Sequence, residues 1–375
     1  MEDNLSIGLA RIHKEPGERR DFLPEFVAGL TKANAKVSLE YGYGSGMKFV
    51  EEDYLRLANN LTFTSLEEIY QQDYVIVLRY TDDEHIRMMR PGSCLISMLH
   101  YPTRPKRVEL LRSLGIEAIS LDSLHDDSGK RLVENLKAVA WNGIEVAFQT
   151  LRLTYPNPGL VSPNRPPVHV TLMGAGAVGI NVVQAAIRYG DLALHKQIAS
   201  AGIPGVQVSV VDYDITPHES IMRDLLQHTD ILVDATQRPD PSQPVIPNDW
   251  VGFLPEHAVI LDLSVDPYDC DSVPRSMKGV EGITQGNLDQ FVFSPSDPAF
   301  DNLPDCVNTT NRRYTVSCYS WPGIHPKECM DVYGLQLGPI LRTLIKKGGT
   351  KNIHPDGNPF ERAISRAMLS RWPLN

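Results

Sequence analysis

The sequence predicts an α/β protein of two doubly wound parallel-sheet domains that flank a cleft and are joined by long helices. Three observations predict it. Apolar runs of strand length alternate with helix-period segments along most of the chain, a pattern that puts helices on the faces of a parallel sheet. A glycine-rich turn, Gly174-Ala175-Gly176-Ala177-Val178-Gly179, lies between an apolar run and a helical one. The chain has 375 residues, more than one core usually holds at roughly 150 residues per domain, so two domains are expected.

In order, Ser6–Ile12 reads as a first strand, followed by a polar loop and a helix from about Pro24 to Ala33, with proline at its start. A strand near Val37–Glu40 precedes the glycine-rich Tyr41–Gly46 turn and a helix near Glu51–Ala58. The apolar runs Tyr74–Leu78 and Cys94–Leu99 are further strands, and Val108–Leu114 and Glu117–Leu121 repeat the helix-strand alternation. Residues 131–153 are continuously helix-compatible, with Leu132, Leu136, Val139, Ile144, Ala147 and Leu151 on one stripe, and read as the helix joining the domains. The proline-rich Tyr155–Pro167 stretch is a loop.

The second domain opens with the strand His169–Met173, the glycine turn and a helix from about Ile180 to Tyr189. Further strands are expected at Val206–Val211, Ile231–Ala235, Val259–Leu263 and near Tyr314–Cys318. Two last helices, about Val332–Lys346 and Pro359–Leu369, suit a chain that returns to the first domain. The expected division is therefore 1–140 plus about 320–375 for a substrate domain and 141–319 for a nucleotide domain.

Composition narrows the function classes. Hydrophobic residues make up 42% and charged residues 22%, and no apolar run reaches the roughly 18 residues of a membrane span. The acidic start Met1-Glu2-Asp3-Asn4 is unlike a signal peptide, so a cytoplasmic location is expected. The net charge of -10, with no basic block, argues against nucleic-acid or anionic-membrane partners and leaves small molecules. The five cysteines, Cys94, Cys270, Cys306, Cys318 and Cys329, show no metal-ligand spacing and read as reduced thiols; no metal is expected.

The glycine turn carries the strongest signal. In a strand-turn-helix context, Gly174 permits the tight turn, Gly176 lets the backbone approach a pyrophosphate, and Gly179 lets helix and strand pack closely. With Ala177 and Val178 it forms the expected phosphate-binding start of a helix, whose N-terminus favours anionic charge. The second domain is therefore expected to be Rossmann-like and to bind a nicotinamide dinucleotide. Asp212, closing Val208–Val211, is placed to take the ribose hydroxyls, with Asp214 as the fallback. Its distance from Gly179 exceeds the usual spacing of about 20 residues, which points to an insertion at Asp191–Gly205. A carboxylate with no adjacent arginine favours NAD over NADP.

Four polar residues follow the C-terminal ends of expected strands, the edge where open parallel sheets place ligands: Arg19, Arg79, His100 and Asp266. Two guanidiniums suit a substrate carboxylate, His100 can pass protons near neutral pH, and Asp266 can orient or stabilise a cationic partner. Each has a plainer alternative. His100 suits a structural role, Arg19 beside Arg20 a solvated charge, Arg79 a pair with Asp82 or Asp83, and Asp266-Pro267 a turn.

The chain resembles the alanine dehydrogenase family, whose folds also occur in the transhydrogenase alpha subunit and, more distantly, in lysine-forming saccharopine dehydrogenase. The matching segments are Lys14–Arg20 ahead of Pro24, Tyr43–Gly46 with Phe49–Tyr54, Leu78-Arg79, Leu99-His100, Gly174–Gly179, Asp230–Val233, Leu261–Asp266 and Trp321-Pro322-Gly323, in the family's order. The resemblance implies that Arg19 and Arg79 hold the substrate carboxylate, that His100 is the acid/base and that Asp266 assists at the reacting carbon. It implies oxidative deamination of a small L-amino acid to a 2-oxo acid and ammonia, or the reverse, in a dimer or hexamer.

This chain also departs from the family. Arg79 stands where the family has lysine, and it can anchor a carboxylate but not shuttle protons. Ser320-Trp321 replaces an Asn-Met pair, placing a large ring where a nicotinamide or substrate pocket is expected. Ala138–Gly143 and Tyr155–Pro167 replace a serine-rich segment and a glycine-rich loop, so contacts between domains or subunits are expected to differ. Two other readings stand beside the first: a saccharopine- or opine-type dehydrogenase of secondary amines, and a nucleotide-binding transhydrogenase-like subunit without amino-acid chemistry.

Overall fold

Residues 4–13 and 15–373 are described by the computed structural model. Met1–Asp3 and Lys14 lie outside the described residues. The chain divides into two units, Met1–Asn135 with His325–Asn375, and Leu136–Ile324.

The first unit opens with β1 (Ser6–Leu9), α1 (Pro24–Lys32), β2 (Lys36–Glu40), α2 (Glu51–Leu55), β3 (Leu61–Thr64) and α3 (Leu66–Tyr70). It continues with β4 (Tyr74–Arg79), α4 (Asp83–Arg87), β5 (Cys94–Met98), α5 (Pro105–Ser113) and β6 (Glu117–Ser120). The six strands pair in the order β3-β2-β1-β4-β5-β6, all parallel. This is the order of a dinucleotide-type sheet, with its switch point between β1 and β4. Both faces of the sheet are covered, so β4 reads as a continuous apolar run, with Val75 and Ile76 fully buried.

The second unit comprises α6 (Leu136–Thr154), β7 (Val168–Met173), α7 (Ala177–Ala186), α8 (Leu192–Ser200), β8 (Val206–Val211) and α9 (Glu219–Leu226). β9 (Ile231–Asp234), α10 (Asn248–Val251), β10 (Val259–Asp262), β11 (Val292–Phe293) and β12 (Tyr314–Ser317) complete it. The sheet order is β11-β12-β10-β9-β7-β8, with β11 antiparallel to β12 and the other strands parallel. Apart from β11 this is a second doubly wound order, switching between β7 and β9. The chain then returns to the first unit as α11 (Pro326–Lys346), packed on α1, and α12 (Pro359–Ala367), packed on β6. The expected fold class is therefore observed: two α/β, Rossmann-like units of mostly parallel strands.

Several boundaries differ from the sequence expectation. α6 starts at Leu136 rather than near residue 131 because tertiary bonds take the preceding backbone: Leu132 N–H donates to Leu124 O and Glu134 N–H to Gln336 Oε1. α11 starts six residues before Val332, at Pro326, where a missing N–H costs nothing in the first helical turn. The insertion at Asp191–Gly205 contains α8, capped by the Asp191 carboxylate. The cysteine reading is corrected. Cys270 and Cys306 form a disulfide, because the fold brings these residues, 36 apart in sequence, to a Cα separation of 6.5 Å. Cys94, Cys318 and Cys329 are buried free thiols.

Candidate functional site

The glycine turn follows β7 directly, at the switch point of its sheet. Gly174 has φ +91°, and a Cβ there would meet the Ala235 carbonyl at 2.7 Å. A Cβ on Gly179 would lie 2.2 Å from Gly174 O, so the helix can start this close to the strand only as glycine. Gly176 differs: a Cβ there would meet nothing within 4 Å, and Ala175, Gly176 and Ala177 are exposed while Val178 is half-buried. The backbone at the start of the ten-residue α7 thus faces open space, which fits the approach of a pyrophosphate. Asp212 stands one residue beyond β8, whose Val211 accepts from Gly174 N–H, and its exposed carboxylate accepts from Tyr213 N–H at 2.8 Å. Asp214 is exposed two residues further on. The residues present fit a dinucleotide.

Asp266 follows β10 in a tight turn. Its neighbour Val265 has φ +58°, a conformation that costs a β-branched residue on the order of 1–3 kcal/mol. The turn is held from below by Asp262, which is fully buried. Asp262 Oδ1 accepts from Val265 N–H at 2.9 Å, and Oδ2 accepts from Lys278 Nζ at 2.8 Å and Ser317 Oγ at 3.0 Å. Burial opposes the charge of Asp262, but Lys278 beside it holds its carboxyl below the usual range. Asp266 itself accepts from Arg238 Nη2 at 2.7 Å, and Arg238 also donates to Gln243 O and Met277 O. Beside this network, buried Asp234 ends β9, its pKa pushed up to about 6 by burial and by the neighbouring Asp262 charge.

The first unit gathers the other three residues. Arg79 ends β4 in register with Met98, the last residue of the adjacent parallel β5, and His100 follows two residues later. Arg79 Nη2 reaches Glu15 Oε1 at 3.5 Å. Arg19 is exposed, with Gly46 against it: a Cβ on Gly46 would lie 3.0 Å from Arg19 Cα. Arg20, by contrast, is buried and bound through two nitrogens to Glu18, at 2.8 and 2.5 Å. Glu18 also accepts from Arg19 N–H and feels the charge of Arg79, which ties the two candidate anchors into one loop cluster.

His100 has φ +51° and a half-exposed ring whose Nδ1 lies 3.4 Å from Asp122 Oδ2. Asp122 Oδ1 also accepts from the backbone N–H groups of Leu99 and His100. Against the opposing effect of burial, His100 holds the Asp122 carboxyl well below its usual range. The carboxylate thereby orients the ring at Nδ1.

Trp321 is 1% exposed, in the hydrophobic core of the second unit, with its Nε1–H donating to Asp262 O at 2.8 Å. It is a support beneath the Asp266 turn, not the wall of an open pocket. The sequence reading missed Asp122, Glu15, Glu18, Arg238, Asp262 and Lys278. Arg238 was findable by the rule that found the others, since it follows the end of β9; nothing in the sequence marks Lys278. Among the described residues no group of His, Cys, Asp and Glu could hold a metal ion.

Residues 11–140 match the family model described as alanine dehydrogenase/PNT, N-terminal domain. The chain is 20% identical to the NAD(P) transhydrogenase subunit alpha of Haemophilus influenzae, over 97% of this chain and 70% of that protein. It is 22% identical to the alanine dehydrogenase of Bacillus subtilis, over 70% of this chain and 71% of that one. An L-alanine dehydrogenase structure superposes with TM-score 0.72 at 17% identity, covering 97% of this chain and 94% of the other. The transhydrogenase from Sinorhizobium meliloti gives TM-score 0.63 at 16% identity, covering 91% and 94%. These structures share the fold, and the sequence matches show similarity to alanine dehydrogenases and transhydrogenase alpha subunits. No described helix is long and apolar enough to cross a membrane.

Proposed function

We propose that this alanine dehydrogenase-like chain is an NAD-dependent amino-acid dehydrogenase, which oxidatively deaminates a small L-amino acid to a 2-oxo acid and ammonia, or runs the reverse reaction. The observation that carries the proposal is the glycine turn at a sheet switch point, tight at Gly174 and Gly179 and open at exposed Gly176, in a chain that also places Arg79 at the end of β4 and His100 two residues past the end of the adjacent β5.

In this reading Gly174, Gly176, Ala177, Val178 and Gly179 bind the pyrophosphate and Asp212 the ribose; its carboxylate would repel a ribose phosphate, which selects NAD. When bound, the nicotinamide supplies the hydride acceptor. Arg19 and Arg79 bind the substrate carboxylate, and Arg79, always charged, does no proton transfer. His100, oriented by Asp122, takes at Nε2 the proton of the water that attacks the imine and returns it to the departing ammonia. Asp266, held by Arg238, places negative charge beside the reacting carbon, where the iminium develops positive charge.

The test follows NADH absorbance with a panel of L-amino acids, and in reverse with 2-oxo acids plus ammonia or amines. Turnover of alanine or a similar small amino acid is expected. Turnover only with a second amine would favour the saccharopine- or opine-type reaction. NADH binding without any turnover would leave the nucleotide-binding subunit. His100→Ala should lower kcat by about 10²- to 10⁴-fold with NADH affinity retained, and Gly176→Val should abolish NADH binding; the reverse pattern refutes the assignment.

A further inference from the structure

We infer that Lys278 is a positioning residue for Asp266, acting through Asp262 to hold the turn after β10 in the backbone conformation that presents the Asp266 carboxylate. The inference rests on the reading of Asp266 as a residue at the reacting carbon.

Lys278 is an anomaly on physical grounds. Its side chain is 1% exposed, and lysine is rarely buried unless paired. Its partners are Asp262 Oδ2 and Gln285 Oε1, at 2.8 and 2.6 Å. A buried ion pair is weak evidence for stability, since apolar residues of similar volume often serve as well. What this pair does hold is geometry. The other oxygen of Asp262 accepts from Val265 N–H, and Val265 occupies the left-handed region that a β-branched residue normally avoids. Without that acceptor the peptide would relax toward extended conformations and swing Asp266, the next residue, out of place.

The same segment serves the carboxylate. Met277, one residue before Lys278, gives its carbonyl to the Arg238 guanidinium that binds Asp266 Oδ2. Two cations therefore fix the turn, Lys278 through its backbone and Arg238 through its acid. Ser317 reinforces the first from β12, and the Trp321 indole holds the Asp262 carbonyl. An aspartate at a reacting carbon needs this control, because a misplacement of about 1 Å can cost 10²-fold in rate.

The experiment compares Lys278→Met with wild type in the full chain, reading amide hydrogen exchange across 263–268, NADH affinity by fluorescence, and kcat. The expected result is an exchange rate at Val265 raised at least tenfold, kcat lowered at least tenfold, and NADH Kd within about threefold of wild type. Should Lys278→Met fail to fold, Ser317→Ala, which removes a single donor to the same carboxylate, should raise exchange at the same amide by a smaller factor. Unchanged exchange at Val265 in the folded variant overturns the inference. So does a rise spread evenly over β9, β10 and β12 with kcat unchanged, the mark of a pair that only stabilises the sheet. If wild type turns over no substrate, the proposed function fails, while the exchange measurement still decides the role of Lys278.

Discussion

Asp234 shows how burial converts into a pH dependence at a single residue. Its folded pKa of about 6 lies above its ordinary 3.8, so between those values the folded state keeps a proton that the unfolded state has lost. Stability falls as pH rises through that window, by on the order of 3 kcal/mol once both states are ionised. Asp234→Asn should therefore raise the urea-unfolding free energy by about 1–3 kcal/mol at pH 8 and have no stabilising effect near pH 4, as equilibrium denaturation would show. Trp321→Ala should cost about 3–5 kcal/mol, as for a large core side chain, and urea titration checks it; a selective rise in substrate KM with stability unchanged would instead return the ring to a pocket wall. At this scale the sequence revealed strand-end positions but not partners. Arg79, His100 and Asp266 were legible because a parallel sheet sends its strand ends to one edge. Glu15, which pairs with Arg79, comes from a loop whose path no periodicity encodes, whereas Asp122 and Arg238, which pair with His100 and Asp266, follow strand ends themselves.

Elements were legible where the pattern was strong and two-sided. β4, β5, β7 and β9 are almost wholly buried on both faces and were found nearly to the residue, as was α1, which opens on Pro24. β3 and α3 went unread because Leu61–Thr64 is an edge strand of mixed exposure and α3 spans only five residues. α12 was read because its apolar stripe is sharp, with Ala363, Ile364 and Ala367 buried. It is also firmly started: Asn358 Oδ1 accepts from the Phe360 and Glu361 N–H groups, and the Glu361 carboxylate accepts from Asn358 N–H. Asn358→Ala should lower stability by about 1 kcal/mol, seen as an earlier transition in guanidinium.

For the whole molecule, each unit has its own apolar interior, one built on β1–β6 with α11 and α12, the other on β7–β12 with α6. The glycine turn belongs to the second alone. Saturating NADH should therefore raise the melting temperature of the second unit more than that of the first, by the linkage RT ln(1 + [L]/Kd), or about 2.7 kcal/mol at a hundredfold excess over Kd. Calorimetry of wild type and Gly176→Val checks this, since the variant should show no NADH-dependent shift.

The return of α11 and α12 to the first sheet also bears on how the protein is made. During synthesis Ser6–Ser120 leave the ribosome before α11 and α12, so α1 waits for α11 to cover Phe26, and Ile119 waits for its bridge to Met368. The second unit is continuous, Leu136–Ile324, and has every strand of its sheet once Ser317 has emerged. The first unit is thus completed after the second, and until then its core stays open on the faces that α11 and α12 later cover.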